Sequence, residues 1–202
     1  MRFSRREKFF FMIGLLSSLL TGMLIGFVFM ASESRSQAWS DRTITVLDNP
    51  GWHNALDLAI KQWNNTGIRV EFKIVDHQPA DVTVVSQPGS CTNCAAFTSF
   101  LGSNSGHGPD KIVLQEYPTK RETQYPSYYW IRVLVHELGH VLGLNHTNKC
   151  AVMAADLSKA CRFHNDGFEL RMCGPFSYDI QQAIALYGRD SSRRKVFTGC
   201  NS

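Results

Sequence analysis

The chain has 202 residues, with 21 Lys+Arg against 17 Asp+Glu for a formal net charge of +4, and it is 44% hydrophobic and 19% charged. That balance excludes an intrinsically disordered chain, and the length leaves room for one well-cored domain rather than two. Arg2, Arg5, Arg6 and Lys8 against Glu7 put a net +3 into residues 1–31 and leave +1 for the remainder, which excludes a broad basic face for nucleic acid.

Phe9–Ala31 runs without a charge behind that basic flank, long enough as a helix to cross a hydrocarbon core of about 30 Å. Two readings stand: an uncleaved signal anchor, or a cleaved signal peptide for which Ser36-Gln37-Ala38 is a better site than Phe29-Met30-Ala31. In both, the basic flank stays on the cytoplasmic side and the rest is expected outside, membrane-anchored through residues 9–31 or secreted. Residues 32–41 are polar and read as a linker, 42–188 as the folded domain and 189–202 as a C-terminal tail.

Arg42–Leu47 alternates β-branched residues and predicts a strand. Asn49-Pro50 is a helix start, followed by Trp52, Ala55, Leu56, Ala59, Ile60 and Trp63 at the spacing of one helical face, with Gly67 closing it. Ile68–Val75 and Ala80–Val85 predict two more strands, and the strand–helix–strand order predicts a parallel crossover. Ser86–Pro109, rich in Gly, Ser and Asn, reads as a long surface loop stapled or used in function. Lys111–Gln115 reads as a short strand, Tyr117–Tyr129 as irregular and aromatic, and Tyr129–Leu142 as a helix ended by Gly143. Ser177–Tyr187 predicts a last helix, capped by Ser177 and ended by Gly188.

Six cysteines, Cys91, Cys94, Cys150, Cys161, Cys173 and Cys200, all follow the apolar segment. In an exported chain an even count reads as up to three disulfides, with 15 possible connectivities. Cys91-Thr92-Asn93-Cys94 reads as a local disulfide in an exported chain, with half a structural zinc site or a redox pair as the alternatives. Cys150 and Cys161 flank Met153, and Cys173 and Cys200 would tie the tail to the domain, so 91–94, 150–161 and 173–200 is the pairing to test among the fifteen. His53, His77, His107 and His164 lack ligand spacing and read as surface or loop residues. Tyr128, Tyr129 and Trp130 read as core or cleft wall, and Tyr178 as a packed helix start.

The chemistry concentrates in His136-Glu137-Leu138-Gly139-His140-Val141-Leu142-Gly143-Leu144-Asn145-His146. Residues four apart share a helix face, so His136 and His140 can present two imidazoles to one metal. Gly143 lets the backbone leave the helix sharply, and His146 can then return as a third ligand. Three neutral histidines on Zn²⁺ leave a fourth position open for water, as in a catalytic rather than a structural site. Glu137 sits beside the ligands, within reach of that water but not as a ligand, where a general base is needed.

These residues resemble the metzincin metallopeptidases. Met153, following His146, is similar to the metzincin Met-turn. Asp179–Gly188 resembles the C-terminal helix of the matrixins, and Ala59–Trp63 with Val70–Phe72 and Ala80–Val82 resembles their first helix and strands. The resemblance, over residues 42–188, implies an α+β fold: a twisted mixed sheet, three main helices and one catalytic zinc. It implies an endopeptidase that binds its peptide or protein substrate extended along an edge strand, for which Lys111–Gln115 is the candidate. Residues between Met153 and Asp179 would then wall the main specificity pocket. Ala155 departs from the Pro usual in matrixins and excludes the zinc-touching Tyr of astacins, and Thr147 replaces a usual Ser. His107 and Asp110 do not match the spacing of matrixin structural-metal loops, which leaves calcium or a second zinc open. No cysteine-switch prodomain is recognisable, so latency by that route is not expected. Two alternatives stand beside a general endopeptidase: a narrow-specificity zinc hydrolase acting on cell-wall peptides or one dedicated partner, and a non-catalytic zinc-containing binding module, against which the intact Glu137 speaks.

Overall fold

The computed structural model describes residues 39, 43–99, 110–124, 126–156 and 174–193. The apolar segment 9–31 lies outside them, and among the described residues no helix is long and apolar enough to cross a membrane. Five strands form one sheet: β1 (Thr43–Leu47), β2 (Glu71–Val75), β3 (Val82–Ser86), β4 (Ala96–Ser99) and β5 (Asp110–Leu114), in the order β2-β1-β3-β5-β4. The β1–β2, β1–β3 and β3–β5 pairs are parallel and β4–β5 is antiparallel. The sheet is therefore mixed, as expected. Helices α1 (His53–Asn64), α3 (Tyr128–Val141) and α4 (Ser177–Tyr187) are the three main ones, and a short α2 spans Lys120–Gln124.

The parallel β1–α1–β2 crossover is present. Its helix opens as a 3₁₀ turn over Pro50–Trp52, where Asn49 Oδ1 accepts the Gly51 N–H at 3.3 Å. The predicted apolar face is buried: Trp52, Ala55, Leu56, Ala59 and Trp63 are each 1% exposed or less. Trp63 donates its indole N–H to the Val135 carbonyl at 2.9 Å, tying α1 to α3. On α3 the residues Trp130, Ile131, Leu134, Val135, Leu138 and Val141 face the core. Each fully buried leucine contributes roughly 1.5–3 kcal/mol through removal from water.

Four expectations are corrected. The strand at 111–115 is not an edge: β5 is paired on both sides, and its run Ile112-Val113-Leu114 is buried on both faces, as an interior strand requires. The edge on this side of the sheet is β4, with β2 at the other end, and β4 lies inside the stretch 86–109 read as loop. Tyr117–Tyr129 is not wholly irregular, because α2 forms there; Thr123 donates its N–H and its hydroxyl to the Thr119 carbonyl, and Asn54 Nδ2 donates to Thr123 O at 2.7 Å. Ser177 does not cap α4. Phe176 holds the cap position with extended backbone, and Asp179, two residues beyond Ser177, accepts the Phe176 N–H at 2.8 Å.

Candidate metal centre and cleft

Helix α3 separates two jobs by its two faces. One face packs in the core; the other brings Tyr129, Arg132, Val133, His136, Glu137 and His140 to the wall of a cleft of about 690 Å³. The opposite wall is β4, with the loop Asn93–Ala95 before it. Ala154 and Ala155 line the cleft just past Met153, while 157–173, most of the expected pocket wall, lie outside the described residues. Tyr129, 46% exposed, is cleft wall, with the Arg132 guanidinium 6.0 Å from its ring centre; Trp130 is core.

The helix ends where the site needs it to. Gly143 has φ +83°, a conformation costly for a side chain, and the Gly143 and Leu144 N–H groups return to the His140 and Gly139 carbonyls at 2.8 and 3.0 Å. Trp39 Nε1 and the Tyr187 hydroxyl donate to the Val141 and Leu142 carbonyls at 2.7 and 2.9 Å, satisfying the helix end from two distant segments. The reversed chain carries His146 back beneath the helix.

The three Nε2 atoms of His136, His140 and His146 lie 3.1 Å from one another in all three pairs. His136 donates its Nδ1–H to Val152 O at 2.7 Å, and His140 donates its Nδ1–H to Leu144 O at 2.8 Å. Since carbonyls accept only, each of these rings carries its proton on Nδ1 and leaves Nε2 as a bare lone pair. Burial pushes His136 down to about 4 and lowers His140 too, so both imidazoles are neutral at pH 7. Converging lone pairs at this distance are satisfied by a cation. Ligand atoms 2.0–2.1 Å from a tetrahedral zinc stand about 3.3–3.4 Å apart, and an all-imidazole donor set suits that ion, so the residues fit it. Among the described residues this is the one cluster of three such side chains.

The carbonyl holding His136 belongs to a built turn. Thr147 N–H donates to Met153 O at 3.0 Å, and Met153 is 2% exposed. Asp179, 1% exposed, reaches across from α4 and accepts the Val152 and Met153 N–H groups at 2.8 and 3.2 Å. Burial raises the Asp179 pKa, against the pull of these backbone donors. Met153 packs against the backbone of Gly139, where a Cβ would collide with its sulfur. Thus a chain of contacts runs from α4 through the Met153 turn to His136, the kind of outer support that orients a ligand imidazole.

Glu137 is 4% exposed and opens on the same cleft. The Thr98 hydroxyl donates to its Oε2 at 2.8 Å, with Glu137 O a second acceptor at 3.2 Å. Burial pushes the carboxyl up to about 7, against the Thr98 bond; a cation held by the histidines would lower it. On β4, Gln115 N–H bonds Ala95 O at 2.9 Å. By antiparallel alternation Phe97 and Ser99 then point their backbone groups at β5, and Ala96 and Thr98 point theirs at the open edge beside the cleft.

The structure therefore brings together His136, Glu137, His140, His146, Gly143 and Met153. It places Cys91 and Cys94 in a disulfide, Cα atoms 6.1 Å apart, at the approach to β4. Cys150 is disulfide-bonded as well, but Cys161, Cys173 and Cys200 lie outside the described residues, so the 150–161 and 173–200 pairings are not reached. His53 and His77 pair with Asp48 and Asp76 at the surface, each at 2.6 Å, away from the cleft; His107 and His164 lie outside the described residues. Sequence reasoning missed Thr98, Arg132 and the tie from Asp179 to the Met153 turn. For Arg132 a signal existed: it stands one turn before His136 on the same face.

The profile of a family described as Matrixin matches residues 39–171, well over half of the 202 residues and including the three histidines and Met153. No curated protein matches the chain.

Proposed function

The chain belongs to the matrixin family of zinc metallopeptidases, and from that premise we propose that it is an endopeptidase whose site residues are His136, His140 and His146 as zinc ligands and Glu137 as general base. The observation that carries this is the convergence of three Nε2 lone pairs, 3.1 Å apart, on the cleft into which Glu137 opens. Zinc held there supplies Lewis acidity, making water a nucleophile near neutral pH and stabilising negative charge on the carbonyl under attack.

The chain's own residues do the rest. An extended peptide adds to the open edge of β4, pairing with the backbone groups of Ala96 and Thr98. That fixes its direction across the cleft and sets one carbonyl beside the histidines. Glu137 takes a proton from the attacking water and returns it to the departing amine nitrogen. Glu137 itself is only 4% exposed, which limits the bulk water that competes for its carboxylate. The Met153 turn and the Gly143 turn keep the imidazoles aimed, through Val152 O and Leu144 O. We further propose that the domain works outside the membrane through which residues 9–31 anchor or export it, with a polar linker over 32–41.

Zinc titration tests the ligand set. The full-length chain should bind one zinc, released by a chelator, and His146→Ala should weaken binding at least about tenfold. Undiminished zinc affinity in His146→Ala would remove that residue from the set.

A further inference from the structure

Thr98 lies on the strand facing the cleft, and its two halves point at different partners. Its backbone is at the open edge of β4, where an extended substrate pairs. Its hydroxyl donates into α3, to Glu137 Oε2 at 2.8 Å and, as a second acceptor, to Glu137 O at 3.2 Å. The hydroxyl has one hydrogen, so the two acceptors share it, and the carbonyl locates the hydroxyl on the helix while the carboxylate receives the shorter bond. Oε1 of Glu137 accepts no hydrogen bond among the described residues, which leaves it the oxygen open to a proton from the cleft.

We propose that Thr98 is the positioning residue of the Glu137 carboxylate, holding Oε2 so that Oε1 faces the reacting water, and that it couples seating of the substrate on β4 to alignment of the base. This rests on the reading of Glu137 as base given above. The Thr98 hydroxyl keeps its own proton throughout; only Oε1 gains and loses one. A carboxylate 4% exposed has few competing partners, so loss of this donor frees it to rotate about its terminal bonds. An adjacent strand is the natural source of such a donor, because the helix's own N–H groups are already used in its ladder.

The experiment uses the full-length zinc-loaded chain as wild type, Thr98→Val, Thr98→Ser and Glu137→Gln. Valine keeps the shape and removes the hydroxyl; serine keeps the hydroxyl. Two measurements are made: kcat and KM on a fluorogenic peptide chosen from a diverse library, and the ¹³C resonance of the Glu137 carboxyl in glutamate-labelled protein, assigned by its loss in Glu137→Gln. Thr98→Val should lower kcat about tenfold, the loss of one positioning hydrogen bond, with KM within about twofold. Its carboxyl resonance should move, and Thr98→Ser should restore both readouts, with zinc content equal in all. A wild-type kcat in Thr98→Val, a raised KM with kcat unchanged, or a resonance that does not move overturns the proposal. If the wild type cleaves no peptide, the endopeptidase reading fails by itself. The resonance then decides the contact alone: moved in Thr98→Val and restored in Thr98→Ser upholds it, and unmoved overturns it.

Discussion

Gly139 offers the sharpest test of how the site is supported. It sits in the interior of α3 between His136 and His140, and a Cβ there would collide with Met153 Sδ and come within 3.3 Å of both Met153 Cε and Trp63 Cζ2. Met153 is 2% exposed and Trp63 fully buried, so neither has free volume to retreat into. Overpacking of this kind costs about 1–3 kcal/mol. Against it, replacing glycine by alanine in a helix interior gains about 1 kcal/mol. Gly139→Ala alone should therefore be neutral to about 2 kcal/mol destabilising, the two terms partly cancelling. In a Met153→Ala background the collision with sulfur is gone, and the same substitution should stabilise by up to about 1 kcal/mol, the helix term alone. The propensity term cancels in the double-mutant cycle, leaving a coupling of about 1–3 kcal/mol. Denaturant unfolding of the four zinc-free proteins measures it. A coupling below about 0.5 kcal/mol would mean that Met153 does not press on α3 and would refute the packing described.

Other outcomes follow from the same contacts. Asp179→Asn replaces one acceptor oxygen by an amide donor facing backbone N–H groups, and should destabilise by about 2–4 kcal/mol in denaturant unfolding; because the Met153 turn holds His136, zinc affinity by chelator competition should also fall, about tenfold or more. Asp110 is 2% exposed, with Oδ2 buried and unpartnered, and burial and then the charge of Asp81 raise it to about 6 from 3.8. The folded state therefore binds the extra proton between those values, so this group's contribution weakens stability as pH rises through about 4 to 6 and changes little outside that window. Relative to Asp110→Asn, the wild type should lose about 2–3 kcal/mol between pH 4 and pH 8, read by denaturant unfolding at each pH; a pH-independent difference would refute the shift.

The histidine cluster was legible because its spacing is local. His136, His140 and His146 lie within ten residues of one another, and one glycine decides how the chain returns. The core faces of α1 and α3 were legible for a similar reason, since helical periodicity repeats over many residues. The edge strand was not. β4 has four residues, Thr98 is its one β-branched side chain, all four are half-buried, and a Gly- and Ser-rich stretch follows it. The strand over 111–115 was the candidate edge, although its continuous Ile-Val-Leu run is the mark of a strand covered on both faces. Asp179 looks in sequence like an ordinary acidic residue in a helix's first turn. Its partners Val152 and Met153 lie 27 and 26 residues away, a distance only the fold removes. Thr98 and Glu137, 39 residues apart, meet for the same reason.

The central claim is that Glu137 moves the proton while the three histidines hold the metal. Its most direct test is turnover of a peptide library by the full-length chain, wild type beside Glu137→Gln, with and without chelator, and zinc content read on the same samples. The account predicts equal zinc in both proteins, chelator-sensitive cleavage by the wild type, and a loss of about 10²–10⁴-fold in kcat for Glu137→Gln. Full turnover by zinc-loaded Glu137→Gln, or wild-type cleavage that survives complete removal of the metal, would contradict it.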